Sequence, residues 1–198
     1  MRIAAIILAA GQASRFGSPK QLLKLNQQTL VERSISIAIA SSCEPIIVVT
    51  GAYHSEISRL PLPTEVTLVH NPNWADGMGK SIACGVEKLK NSSSSLPDAI
   101  LIMLADQPGI NTETIQRLKS TIQDQENSIV LCQNSQSKGP PALFSISHLN
   151  SLYELKHDEG AKSIIASHPK ETTFIPAPES IWDIDTPQIW KNFRTRFK

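Results

Sequence analysis

The chain has 198 residues, with 19 Lys and Arg against 18 Asp and Glu, a formal net charge of +1 and 40% hydrophobic residues. That composition suits one core-bearing domain over residues 1–198 and argues against a disordered chain and against a duplex-binding protein, which carries a basic excess or stripe. The three cysteines, Cys43, Cys84 and Cys132, form no CxxC pair, so they read as free thiols of a reducing cytosol and not as zinc ligands.

In chain order, the apolar run at residues 3–8 reads as a strand buried on both faces, since it passes straight into Gly11 and Arg15 and has one preceding base, Arg2. It is too short for a signal peptide or a membrane span, which needs about 20 apolar residues. No other stretch comes closer, and a cytoplasmic protein without membrane contact is expected. Thr29 and Glu32 predict a capping box that opens a helix to about residue 42. Residues 45–50 predict a second strand, 54–60 a short helix and 66–70 a third strand. Residues 78–90 place Ile82, Val86 and Leu89 on one helical face, and the serine run at 91–95 reads as a surface connection. Residues 99–104 form the most apolar strand, expected at the sheet centre. A helix over 112–124 and a strand over 128–133 follow. Pro140 and Pro141 predict that the strand near 142–144 is an edge or antiparallel piece. Helices at 147–156 and 160–168, strands at 172–175 and 180–184, and a last helix opened by Pro187 complete the pattern. Strands separated by helices define an α/β class: a mostly parallel sheet with helices on both faces. Ligands of such sheets bind beyond the carboxyl ends of the strands.

The sharpest chemical signal is the loop after the first strand, Leu8-Ala-Ala-Gly11-Gln-Ala-Ser14-Arg15-Phe-Gly17-Ser-Pro-Lys20. Small residues let backbone N–H groups approach an anion, while Arg15 and Lys20 add a planar fork and a point charge suited to a triphosphate. The bland reading is an ordinary strand-to-helix loop with two solvated bases. Gly79-Lys80-Ser81 ends like a Walker A loop, but the upstream position that needs glycine holds Trp74, and the G-x-G of a dinucleotide fingerprint is missing. Asp106 closes the most apolar strand before Gln107-Pro108, where it is either a metal ligand or a turn residue. Asp183 and Asp185, two apart, share a face if their segment is a strand, or one of them caps the helix at Pro187. Two carboxylate sources beside a phosphate loop suit a magnesium–triphosphate site. His54, His70, His148, His157 and His168 lack metal spacing and read as structural or surface residues. Of Trp74, Trp182 and Trp190, only Trp74 sits in a segment suited to a ligand.

The loop at 8–20 resembles the signature of the molybdenum cofactor cytidylyltransferase family, within the wider NTP-transferase group that includes sugar-nucleotide pyrophosphorylases. The likeness continues through Asn71-Pro-x-Trp74-x-x-Gly77-Met78-x-x-Ser81, Ala105-Asp106-Gln107-Pro108, Gly139-x-Pro141-x-Leu-Phe144, Asp158-x-Gly160-Ala161-Lys162 and Asp183-Ile-Asp185-Thr-Pro187. It runs in order along essentially the whole chain. Lys138 and the pair His157 and Lys162 depart from residues common in the family, both on the acceptor side.

The resemblance implies a single-domain, Rossmann-like nucleotide-diphospho-sugar transferase fold and a Mg2+-dependent transfer of CMP from CTP to the phosphate of a molybdopterin-type cofactor. It implies nucleotide contacts from Leu8, Ala9, Ala10, Gly11, Ser14, Arg15, Lys20, Gly77, Ser81 and Asp106. Arg15, Lys20 and Asp106 would be catalytic. Acceptor contacts would come from Asn71, Trp74, Gly77, Met78, Gln107, Pro108, Gly139 and Pro141. The metal ligands would be Asp106 and Asp185, with Asp183 the alternative to the latter. The Ala-Ala-Gly form of the loop resembles the cytidylyl branch, and Ala10 leaves less room for a purine than glycine would. A recipient molybdoenzyme is an expected partner; nucleic acid is not. The alternatives are GTP or a sugar or alcohol phosphate as substrate, and a non-catalytic chaperone for the cofactor.

Overall fold

The computed structural model describes residues 1–92, 95–123, 128–157 and 160–196. In chain order the elements are β1 (Ile3–Ala9), β2 (Lys24–Leu25), β3 (Gln28–Thr29), α1 (Leu30–Ala40), β4 (Ile46–Thr50), α2 (His54–Ile57), β5 (Val66–His70) and α3 (Met78–Ser92). There follow β6 (Ala99–Leu104), α4 (Thr112–Gln123), β7 (Ile129–Gln133), β8 (Lys138–Ser145), α5 (Leu149–Tyr153), α6 (Lys162–Ser167), β9 (Thr172–Pro176) and α7 (Pro187–Arg196). Seven strands make one sheet in the order β5-β4-β1-β6-β8-β7-β9, with β6 at the centre as its apolarity predicts. All run parallel except β8.

Side chains of β1 alternate between two cores. Ile3, Ala5 and Ile7 pack with Val31 and Ile35 of α1 and Ile115 and Leu118 of α4 on one face. Ala4, Ile6 and Leu8 pack with Ile82, Val86 and Leu89 of α3, Leu152 of α5 and Ile164 of α6 on the other. Every residue of β1 is buried, which is why it reads as a continuous apolar run and not as an alternating one. α7 closes a third, smaller cluster through Trp190 and Phe193 against Leu30 and Ile184.

Three sequence expectations need correction. The strand near 142–144 is longer, β8, and lies inside the sheet between β6 and β7. It is antiparallel as expected but not an edge. Its prolines are tolerated because β6 pairs it only as far as Ala142, while on the β7 side the register jumps from Leu131↔Ala142 to Cys132↔Gly139. Both prolines therefore sit in a bulge, where no ladder donor is required. Residues 180–184 are not a strand: a 3-10 turn spans Pro178–Ile181 and chain without regular structure follows. The supposed connection at 91–95 begins two residues late, because Asn91 and Ser92 still belong to α3; residues 93–94, like the predicted helix end at 124 and the acceptor-side Asp158, lie outside the described residues. The hairpin β2–β3 was not foreseen.

After β1 the chain moves to β4 and β5 on one side, then returns to β6 on the other. The carboxyl ends of β1 and β6 are thus a topological switch point, where a crevice opens. None of the described helices is long and apolar enough to cross a membrane.

Candidate functional site

A pocket of about 350 Å³ occupies that switch point. Its walls include Leu8, Ala10, Gly11, Ser14, Arg15, Lys20, Trp74, Gly77, Met78, Ser81, Asp106 and Asp185, so most of the nucleotide set and all of the catalytic set converge there.

The loop leaving β1 has a one-sided hydrogen-bonding pattern. Each carbonyl from Ala10 to Ala13 is already engaged: Ala10 O accepts from Ala52 N at 3.0 Å, Gly11 O from Gln21 Nε2 at 2.8 Å, Gln12 O from the Tyr53 hydroxyl at 2.8 Å and Ala13 O from Phe16 N at 2.9 Å. The backbone N–H groups of Gly11 to Arg15, by contrast, donate to none of the described residues. Ala13 has φ of 53°, in the left-handed region, a local strain of the kind held at ligand-binding turns. A run of unpaired donors at the mouth of a parallel sheet is an anion cradle. A Cβ added to Gly11 would meet nothing within 4 Å, so the missing side chain leaves ligand space and not packing space.

Opposite the loop, Lys20 binds both pocket carboxylates, Asp106 at 2.5 Å and Asp185 at 2.9 Å, and Arg15 reaches Asp185 at 3.0 Å. Burial alone would lower the Lys20 pKa, but the Asp106 and Asp185 carboxylates outweigh it and raise it above its ordinary value. Asp106 is set at the end of β6 by Ala105 N bonding to Leu8 O, and its own carbonyl accepts from Ile184 N at 3.0 Å, which draws the 183–185 segment over the pocket. Asp183 and Asp185 diverge, because Asp185 N bonds back to Asp183 O at 2.9 Å in a tight turn that breaks the two-residue strand repeat: Asp185 joins Lys20, whereas Asp183 accepts from Gln107 Nε2 at 2.7 Å. Loss of solvent around the Asp183 carboxyl is the largest cause raising its pKa to about 6, with Asp106 and Asp185 adding to it and Gln107 and Lys20 opposing. Part of the residue stays exposed.

Of the predicted acceptor residues, Trp74, Gly77 and Met78 line the pocket, and Asn71, Gln107, Pro108, Gly139 and Pro141 do not. Asn71 is a buried brace: its Nδ2 donates to Ser81 Oγ at 3.1 Å and its Oδ1 accepts from Asn73 N at 3.0 Å. Gln107 orients Asp183, and Pro108 O accepts from Arg33 Nε at 3.0 Å. Gly139 and Pro141 lie on the part of β8 beyond its last pair with β6, Ile102↔Ala142, outside the pocket wall. Ala9 is core, packed under the loop. Lys80 lines a different surface depression, so Gly79-Lys80-Ser81 does not act as a Walker A tail; only Ser81 faces the pocket. None of the five histidines lines it. Gln12 and Ala13, part of the loop expected to line the phosphates, also form its walls, as do Gln21, Ala75 and Leu104, which no sequence pattern marks. Gln21 follows a lysine and Ala75 a tryptophan with no pattern to mark them, and their positions depend on the folded loop.

A divalent cation fits these residues. Asp106 Oδ1 is buried with no hydrogen-bond partner among the described residues, and a second carboxylate lies across Lys20 from it. No group of three His, Cys, Asp or Glu side chains gathers among the described residues, which leaves a two-carboxylate site of the kind magnesium shares with phosphate and water. Arg15 and Lys20 cancel Asp106 and Asp185, the only other charged groups in the wall.

Sheet order, switch-point pocket and donor loop define an α/β domain built to hold a phosphorylated ligand. Residues 5–172 match the model of the MobA-like NTP transferase domain, and the chain belongs to that family. It is, by that membership, a nucleotidyltransferase. Among its relatives, the molybdenum cofactor cytidylyltransferase of Escherichia coli (strain K12) is 26% identical over 97% of this chain and 95% of its own length. The nicotine blue oxidoreductase of Paenarthrobacter nicotinovorans is 31% identical over 59% of this chain, which spans 55% of that protein. A nucleotidyl transferase from Methanothermobacter thermautotroptrophicus shares the fold, with a TM-score of 0.82 at 21% identity over 99% of this chain and 97% of that one.

Proposed function

We propose that the chain transfers CMP from CTP to the phosphate of a molybdopterin-type cofactor, releasing pyrophosphate, and that it uses Mg2+ held by Asp106 and Asp185. The observation that carries the reaction type is the run of unpaired N–H donors facing a two-carboxylate pair across one pocket. Support for the acceptor and the base comes from the full-length relative of that activity and from Ala10, whose methyl group narrows the pocket wall against a purine.

The unpaired N–H groups and Arg15 would hold the β- and γ-phosphates. The acceptor phosphate has a second pKa near 6 and is largely dianionic at neutral pH, so its attack needs no general base. An acceptor oxygen bonds to the α-phosphorus as the bond to the bridging oxygen breaks, and that electron pair leaves on pyrophosphate. Catalysis then rests on alignment and charge neutralisation. Bound Mg2+ would supply positive charge shared among phosphate oxygens. Lys20, held between the carboxylates, lies within the same wall as Arg15 and can turn to the developing charge on the leaving group. Trp74 and Met78 offer an apolar face for a flat acceptor ring.

The oxidoreductase name of one relative is not carried over, since the loop lacks a dinucleotide fingerprint and its unpaired donors suit a triphosphate. The test compares CTP with GTP using the same acceptor. CTP is expected to turn over faster; a clear preference for GTP would overturn the base assignment. Asp106→Ala is expected to lose about 10²-fold or more in rate, the scale of a removed transition-state contact; full activity of that variant in Mg2+ would remove Asp106 from the metal site.

A further inference from the structure

An anion cradle is only attractive if its carbonyl dipoles face elsewhere. Two side chains that the reaction does not otherwise use see to that here. Gln21, 3% exposed, donates through Nε2 to Gly11 O at 2.8 Å and to Ala9 O at 3.4 Å, and Tyr53 donates its hydroxyl proton to Gln12 O at 2.8 Å. In a trans peptide the C=O and N–H point in opposite directions. Holding the carbonyls of Gly11 and Gln12 therefore turns the N–H groups of Gln12 and Ala13 the other way. Only the NH2 end of the Gln21 amide can face two carbonyls, and its Oε1 is consequently buried without a partner among the described residues. An unpaired buried acceptor is unfavourable, a cost set against the two bonds that Nε2 makes to the loop.

We propose that Gln21 and Tyr53 are positioning residues that clamp the carbonyls of Gly11 and Gln12, so that the loop presents only donors to the phosphates of its ligand. The inference rests on the reading of this loop as a triphosphate site. It is tested by titrating wild type, Gln21→Met and Tyr53→Phe with inorganic tripolyphosphate and with each of the four ribonucleoside triphosphates, in Mg2+, after checking each variant by thermal melting. Gln21→Met is expected to weaken binding about fivefold to tenfold, the size of one lost hydrogen bond. Tyr53→Phe, which keeps the ring and its packing, is expected to weaken it in the same sense. Both losses should be equal for tripolyphosphate and for all four nucleotides, because the clamp acts on the phosphate loop and not on the base. Gln21→Glu supplies a rescue: its deficit relative to wild type should shrink from about pH 8 to about pH 5, as the carboxyl gains a proton to donate to Gly11 O. Tripolyphosphate binding within twofold of wild type in both Gln21→Met and Tyr53→Phe would overturn the clamp, as would a loss confined to one nucleotide. Both results leave the nucleotidyltransferase reading intact, whereas a wild type that binds neither tripolyphosphate nor any nucleotide overturns both.

Discussion

Lys20 is 9% exposed and holds two carboxylates that come from distant parts of the chain. Replacing it with methionine keeps the volume but leaves Asp106 without a cation and Asp185 with Arg15 alone. Breaking such a part-buried cluster is expected to cost about 1–3 kcal/mol in metal-free buffer. Added Mg2+ should then raise the melting temperature of Lys20→Met more than that of wild type, since the ion takes over the lost charge. Equal shifts in the two proteins would contradict a metal site at these carboxylates. Gly11→Ala makes a complementary prediction. Its Cβ meets no neighbour, so melting should change by less than about 0.5 kcal/mol, while triphosphate binding falls about tenfold or more as the methyl group enters ligand space. The convergence of Arg15, Lys20 and Asp106 on one pocket was readable from their loop and strand-end positions. The Lys20 partnership with Asp185, 165 residues away, was not: nothing local in a sequence says which strand ends meet.

At the scale of elements, the pocket is shaped by how closely α3 approaches the sheet. A Cβ on Gly85 would lie 2.6 Å from Ile6 Cγ2 and 3.0 Å from Val49 Cγ2. Gly85→Ala should therefore destabilise by about 1–3 kcal/mol through overpacking, and it should weaken nucleotide binding as well, because the same helix carries Ser81 into the pocket. Unfolding titrations with and without nucleotide separate the two effects. α1 offers a simpler case. Thr29 Oγ1 accepts from Glu32 N at 3.3 Å while Glu32 Oε2 accepts from Thr29 N at 2.8 Å, and Thr29→Ala should cost about 1 kcal/mol in denaturant midpoint experiments. That capping box was legible because it is encoded by two residues three apart. The β2–β3 hairpin was not, because its turn puts Asn26 and Gln27 at positive φ without the glycine that marks such turns. The β-like composition at 180–184 misled for a different reason: Ile184 bonds to the backbone of Asp106 and not to a strand neighbour, a tertiary tie that no local pattern displays.

At the scale of the whole molecule, the parallel sheet was legible from its alternation of apolar runs and amphipathic segments, and the switch point followed from strand order once the sheet was seen. The same burial that builds the sheet sets its response to alkali. Burial pushes the Cys43 thiol up to about 11 and the Cys132 thiol up to about 12, while Lys20 is raised against its burial by Asp106 and Asp185. Groups whose folded pKa lies above the unfolded value contribute stability that is complete below the unfolded pKa, near 9 for the thiols, and is lost as pH rises through the folded pKa. The melting temperature is expected to hold up to about pH 8–9 and to fall between about pH 9 and 12; a flat profile across that range would contradict the burial assigned to these groups. The central claim, transfer of a cytidylyl group to a phosphorylated pterin cofactor, is tested most directly by following pyrophosphate release anaerobically from each of the four ribonucleoside triphosphates with Mg2+ and a molybdopterin-type acceptor. The account predicts release that depends on the acceptor and is fastest with CTP. Absence of release from every triphosphate, in a folded sample that binds the acceptor, would contradict it and leave a cofactor carrier in its place.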